Sequence, residues 1–205
     1  MIHQIDEGYV RAETHRDVMT IEFYHPQSNS LPSKILDKLT EKIHFASYND
    51  ECKMIVLRSA GEGAFCGGAS FDELGAITTE LDAIRFFSGF AHVINAMRKC
   101  PKFIVGRIQG KCVGGGVGIA AACDYTIALE GADVKLSELA LGIGPFVVGP
   151  AVERRIGISA FSQLAIDAAS WHSADQAPAA TAVFSSWVHH NFWRVSESPA
   201  SLAGA

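Results

Sequence analysis

The chain has 205 residues, 48% of them hydrophobic and 19% charged, with a formal net charge of −5. That length supports one domain with a proper core, and the acidic balance argues against a general nucleic-acid binder. The five cysteines, Cys52, Cys66, Cys100, Cys112 and Cys123, are odd in number and have no C-x-x-C spacing. Neither a disulfide framework nor a zinc site is expected, and the cysteines read as buried thiols of a reduced, cytoplasmic protein. No secretory leader is expected from the first residues, and no apolar run approaches the ~20 residues that cross a bilayer.

In chain order, strands are predicted at residues 9–14 and 18–24, across a polar turn at 15–17. His25-Pro-Gln-Ser-Asn-Ser-Leu-Pro32 reads as a loop. A helix over residues 33–47 puts Ile35, Leu36, Leu39, Ile43 and Ala46 on one face. A short buried strand at 54–57 leads into a glycine-rich loop at 61–68. Ser70 and Glu73 have capping-box spacing, so a short helix begins after Ser70 and leaves the Ala69 N–H free at the junction. The longest helix covers residues 79–99. Its apolar face is Leu81, Ile84, Phe87, Phe90, Ala91, Ile94 and Met97, and Pro101 ends it. Strands at 103–108 and 125–129 flank a triple glycine. Alternating strands and helices argue for an α/β fold with parallel pairing. From about Gln176 onward Ala, Ser and Pro dominate, so a core at 1–175 and a poorly ordered tail at 176–205 are expected. Trp187, His189, His190 and Trp193 cluster in that tail without a metal-ligand pattern, and the two histidines read as surface residues.

Chemistry concentrates in two glycine-rich loops and one acid. Gly110-Lys-Cys-Val-Gly-Gly-Gly-Val-Gly-Ile-Ala-Ala-Ala-Cys-Asp124 runs from a strand into a helix start. Backbone N–H groups and a positive dipole end converge there, suited to an anion or a developing oxyanion. Gly115 would present one N–H and Ala69 a second, and two separate backbone donors suggest an oxyanion hole. Glu138 stands alone among apolar residues in Leu136-Ser-Glu-Leu-Ala-Leu141, where burial should raise its pKa for acid/base work. Each feature also has a plain reading: a tight turn for either loop and a helix-start carboxylate for Glu138. Gly116-Val-Gly-Ile-Ala-Ala121 matches the dinucleotide pattern G-x-G-x-x-A, but only about six residues remain for a helix that a βαβ crossover needs longer.

Together these residues resemble the crotonase superfamily, the enoyl-CoA hydratase/isomerase family, over roughly residues 5–175. His25-Pro-Gln-Ser-Asn-Ser-Leu31 resembles the family's early substrate loop. Gly63-Ala-Phe-Cys-Gly-Gly-Ala-Ser-Phe71 resembles its Gly-Ala-Asp motif, with Ser70 in place of the aspartate, and Gly110 to Asp124 resembles its glycine-rich signature. The resemblance implies a spiral of repeated ββα units, with the C-terminal helical part shortened or diverged beyond Ala177. It implies Ala69 and Gly115 as oxyanion-hole donors, Glu138 as the acid/base, and Ser70, Phe71, Gly114 and Gly116 as substrate-site residues. The substrate would be an acyl-CoA thioester, with coenzyme A part of it, no separate cofactor, no metal and no nucleic-acid or membrane partner. A homo-trimer or hexamer is expected. Family hydratases carry two catalytic glutamates, and the first falls on Gly118. Dienoyl-CoA isomerases carry further acids at positions that are Gly118 and Phe146 here. One-glutamate isomerisation is therefore favoured over hydration, with a non-catalytic acyl-CoA binder as the alternative.

Overall fold

The computed structural model describes residues 7–173 and the backbone of a strand at 186–188. Strands β1 (Tyr9–His15) and β2 (Val18–Tyr24) form an antiparallel hairpin, with Arg16 at a positive φ of 56° in its turn. Alternation along β2 buries Met19, Ile21 and Phe23. Helix α1 (Ser33–Tyr48) buries the five residues that its periodicity predicts: Ile35, Leu36, Leu39, Ile43 and Ala46. After β3 (Met54–Ser59) come the short α2 (Phe71–Gly75) and the long α3 (Glu80–Lys99). Then follow β4 (Phe103–Ile108), β5 (Cys112–Val113), α4 (Gly115–Ala122), β6 (Tyr125–Leu129) and β7 (Val134–Lys135). A 3-10 turn at Leu139–Leu141, helix α5 (Gly149–Ile166) and β8 (Ser186–Val188) complete the described elements.

The main sheet runs in the order β1-β2-β3-β4-β6-β8, parallel throughout except for the β1–β2 hairpin. The order never reverses, so the chain advances in one direction from unit to unit. Two units repeat a ββα plan, β4-β5-α4 and β6-β7-α5, each giving one strand to the main sheet and one to a second, two-stranded sheet. Isolated bridges extend that second ladder: Leu31 with Ala69, Cys66 with Cys112, and Val134 with His172. This is the α/β spiral that the sequence resemblance implies.

Two details depart from the pattern read in the sequence. The buried face of α3 begins only at Phe86. Leu81 and Ile84 are exposed, because the first turn is held in solvent by a Thr79–Asp82 capping box and carries Glu80 and Asp82. From there Gly89 lets α3 close on α1, where a Cβ would lie 2.7 Å from Leu36 Cδ1. Helix α5 has no single apolar phase, since Gly157 (φ 79°) kinks it between buried Ala151 and Val152 and buried Leu164 and Ala165. Strand β8 pairs with β6 within 176–205, the segment expected to be a poorly ordered tail; the rest of that segment, with His189, His190 and Trp193, lies outside the described residues.

Glu22 is the charged residue the sheet buries. The register sets Arg11 and Arg58 on either side of it, and its carboxylate meets their guanidinium groups at 2.8 and 2.6 Å and the Tyr9 hydroxyl at 2.9 Å. All five cysteines are free thiols, and burial pushes Cys66 and Cys123 up to about 12.

Candidate active site

The second ladder builds the site. The Val113 N–H donates to the Cys66 carbonyl at 2.9 Å and the Leu31 N–H to the Gly68 carbonyl at 2.8 Å. These two bonds hang the 66–69 loop between the early loop and the glycine-rich turn. Asn29 secures it from behind. Buried at a positive φ of 54°, Asn29 donates from Nδ2 to the Ala60 and Ala64 carbonyls at 3.0 and 2.9 Å and accepts the His25 N–H at 2.8 Å. Ser70 then caps α2, its Oγ accepting the Glu73 N–H at 3.3 Å. The Glu73 carboxylate does not return to Ser70 as a capping box would. It accepts the Ser33 N–H at 2.9 Å and the Ser33 hydroxyl at 2.7 Å, capping α1, whose own N-cap Pro32 has no side-chain acceptor.

Ala69, Phe71, Gly114, Gly115 and Glu138 line one cavity. Ala69 ends the first loop and Gly115 is the first residue of α4, so its N–H has no intrahelical acceptor. Among the described residues the Ala69 N–H has no backbone acceptor either. Gly114 takes φ 49° and ψ −112°, a conformation closed to residues with a Cβ. A Cβ there would also lie 3.2 Å from Glu138 Oε1, so the glutamate packs directly over the turn. Glu138 is fixed at the backbone, where its carbonyl accepts the Leu141 and Ile143 N–H groups at 3.0 and 3.1 Å. Its Oε2 is buried with no hydrogen-bond partner among the described residues, and burial raises its pKa above the ordinary carboxylate value.

Two expected substrate-site residues stand behind the cavity wall. Ser70 is buried in its capping role, and Gly116 faces Cys66, whose carbonyl oxygen would lie 2.6 Å from an added Cβ. The sequence reading did not assign the aromatic wall: Phe86, Phe87 and Phe90 of α3 all line the cavity. Phe90 packs on Gly115, its ring 2.3 Å from where a Cβ would stand. The apolar periodicity of α3 was the available signal, and apolar periodicity looks the same for a core face as for a cavity wall. Leu141, Ile143, Val147 and Val148 close the remaining side. The lining is thus hydrocarbon apart from backbone amides, Ser137 and one carboxyl group. Among the described residues no group of three or more His, Cys, Asp or Glu side chains could hold a metal ion, and no helix is long and apolar enough to cross a membrane.

The enoyl-CoA hydratase/isomerase family model matches residues 13–181, and the chain belongs to that family. Human mitochondrial methylglutaconyl-CoA hydratase is 30% identical over 141 residues, 68% of this chain and 41% of that one. The Bacillus subtilis protein YngF, whose name carries the same family, is 31% identical over 128 residues, 61% of this chain and 48% of YngF. The chain therefore spans about half the length of YngF or less of such relatives. A crystal structure of an enoyl-CoA hydratase from Bacillus anthracis superposes with a TM-score of 0.82 at 25% identity, over 91% of this chain and 72% of that one.

Proposed function

We propose that the chain acts on enoyl-CoA thioesters as a one-carboxylate double-bond isomerase. The observation that carries this reading is Glu138, the one carboxyl group lining the cavity with Ala69 and Gly115 among the described residues, whose Oε2 is buried without a hydrogen-bond partner. The thioester oxygen would lie between the Ala69 and Gly115 N–H groups. Glu138, as carboxylate, takes a proton from C2 of a 3-enoyl thioester. The C2–H electron pair becomes the C1–C2 double bond and the carbonyl pair moves onto oxygen, leaving a dienolate, with the C3–C4 double bond intact, whose oxygen the two amides stabilise. Protonated Glu138 then gives the same proton to C4, and the double bond closes between C2 and C3. Nothing is consumed, so no co-reactant is needed. A raised pKa suits both halves of the cycle, since the carboxylate must be a strong enough base and the acid must return the proton.

Hydration would need a second group to hold and split a water, and residue 118 is glycine. The hydrocarbon lining favours a neutral aliphatic acyl group, because among the described residues no cation lines the cavity to pair with a distal carboxylate. The test is activity on paired 2-enoyl-CoA and 3-enoyl-CoA substrates, with Glu138→Gln alongside. Isomerisation reduced ~10²–10⁴-fold by the substitution is the expected result. Full activity in the variant would remove Glu138 from the chemistry, and tight CoA-thioester binding without turnover would favour a non-catalytic binder.

A further inference from the structure

We propose that Val148, backed by Ile94, is the specificity-determining residue that keeps hydration out of this site; the proposal rests on the isomerase reading above. Gly118 lies on α4 one turn beyond Gly115 and faces α5. A Cβ on Gly118 would stand 2.7 Å from Val148 Cγ1, 2.8 Å from Val148 Cβ and 3.1 Å from Ile94 Cδ1. Carbon atoms in good contact sit at about 3.5–4.0 Å, so no side chain fits at 118 while these two residues stay in place. The space beside the helix is therefore filled by hydrocarbon and offers no room for a carboxylate.

Val148 also separates residue 118 from the substrate. It lines the cavity that contains Glu138, whereas Gly118 does not. The valine cannot step aside cheaply. It is β-branched, so few rotamers are open to it. The clash includes its Cβ, which moves only with the backbone. That backbone is tied into the start of α5, where the Val148 carbonyl accepts the Ala151 and Val152 N–H groups, each at 3.1 Å. Gly118 is thus two things at once: the lost position of a second acid, and a packing glycine that lets α4 close on Val148. Restoring the acid alone would break the packing. Restoring it together with an opening at 148 would satisfy both demands.

The experiment compares wild type, Gly118→Glu, Val148→Gly and the double variant. Each is assayed for isomerisation of 3-hexenoyl-CoA and hydration of 2-hexenoyl-CoA, and its thermal unfolding is recorded. Gly118→Glu alone should lower Tm and leave hydration at the wild-type level. The double variant should recover part of the Tm loss and hydrate at least ~10²-fold faster than either single variant, the low end of what a positioned acid/base group supplies. Hydration by Gly118→Glu alone at the rate of the double variant would overturn the proposal, as would a double variant no faster than the singles. Gly118→Ala with and without Val148→Gly repeats the stability test at a smaller volume change: a smaller Tm loss in the opened background supports the clash, and additive losses overturn it. Failure of wild type to isomerise 3-hexenoyl-CoA would count against the isomerase reading and is read separately from the Tm coupling.

Discussion

Glu138 combines burial with the lack of a hydrogen-bond partner at Oε2, and both disfavour its charged form. Its pKa is raised in the folded state, so the native protein binds that proton more tightly than the unfolded chain does. The stability this contributes is fully present below the unfolded pKa and is lost as pH rises through the folded value. Glu138→Gln, which never ionises, should therefore gain Tm relative to wild type at pH 7 and lose that advantage in acid. Activity has the opposite pH dependence, since the carboxylate is the base: the isomerisation rate should rise through a pKa above the ordinary carboxylate range. A profile flat across that range would contradict the role. Asn29 is the other residue whose environment decides its worth. Its amide joins the His25 loop to the carbonyls of the glycine-rich loop, and Asn29→Ala removes three hydrogen bonds to these half-buried groups. A loss of about 2–3 kcal/mol by denaturant unfolding is expected, the upper part of the range for broken polar contacts.

Among the elements, α2 has five residues, too few for a helix to persist alone, and is held instead by its connections. Glu73 reaches from α2 to the open N-terminus of α1, so one carboxylate ties the segment after Ala69 to the start of that helix. Glu73→Ala should cost about 1–3 kcal/mol, in the range for hydrogen bonds to a charged group. It should also weaken isomerisation, because the loop that presents Ala69 loses its anchor. Strong periodicity made α1, β2 and the extent of α3 legible in the sequence, and the glycine loops could be placed by their order and spacing. The burial of α3 was not legible, because Leu81 and Ile84 continue the apolar stripe past the point where the helix meets α1. Helix α5 was hidden by the kink at Gly157, which breaks the apolar phase into two halves. The α1 cap could not be read locally at all, since its acceptor comes from 40 residues away.

For the whole molecule, the spiral explains why distant motifs meet. Each turn of chain adds a strand to the main sheet and a rung to the second ladder, and the rungs at Ala69, Val113 and Lys135 stack the two loops and the approach to Glu138. Gly118 shows the reach of that packing: a position whose chemistry reads as a simple deletion in the sequence is filled in the fold by residues from α3 and the start of α5. Large apolar side chains are exposed around this face, Phe71 at 61% and Phe146 at 84%. The family resemblance implies a homo-oligomer, which remains an expectation for this chain. Light scattering should give the mass of a trimer or a multiple of one, and a monomer at all concentrations would contradict it. The most direct test of the proton shuttle uses 3-hexenoyl-CoA deuterated at C2. With Glu138 as the single carrier, 2-hexenoyl-CoA should form with deuterium delivered to C4, detected by NMR, and Glu138→Gln should abolish the transfer. Product with no label at C4 under single-turnover conditions, or 3-hydroxyacyl-CoA as the only product, would contradict a one-carboxylate isomerase.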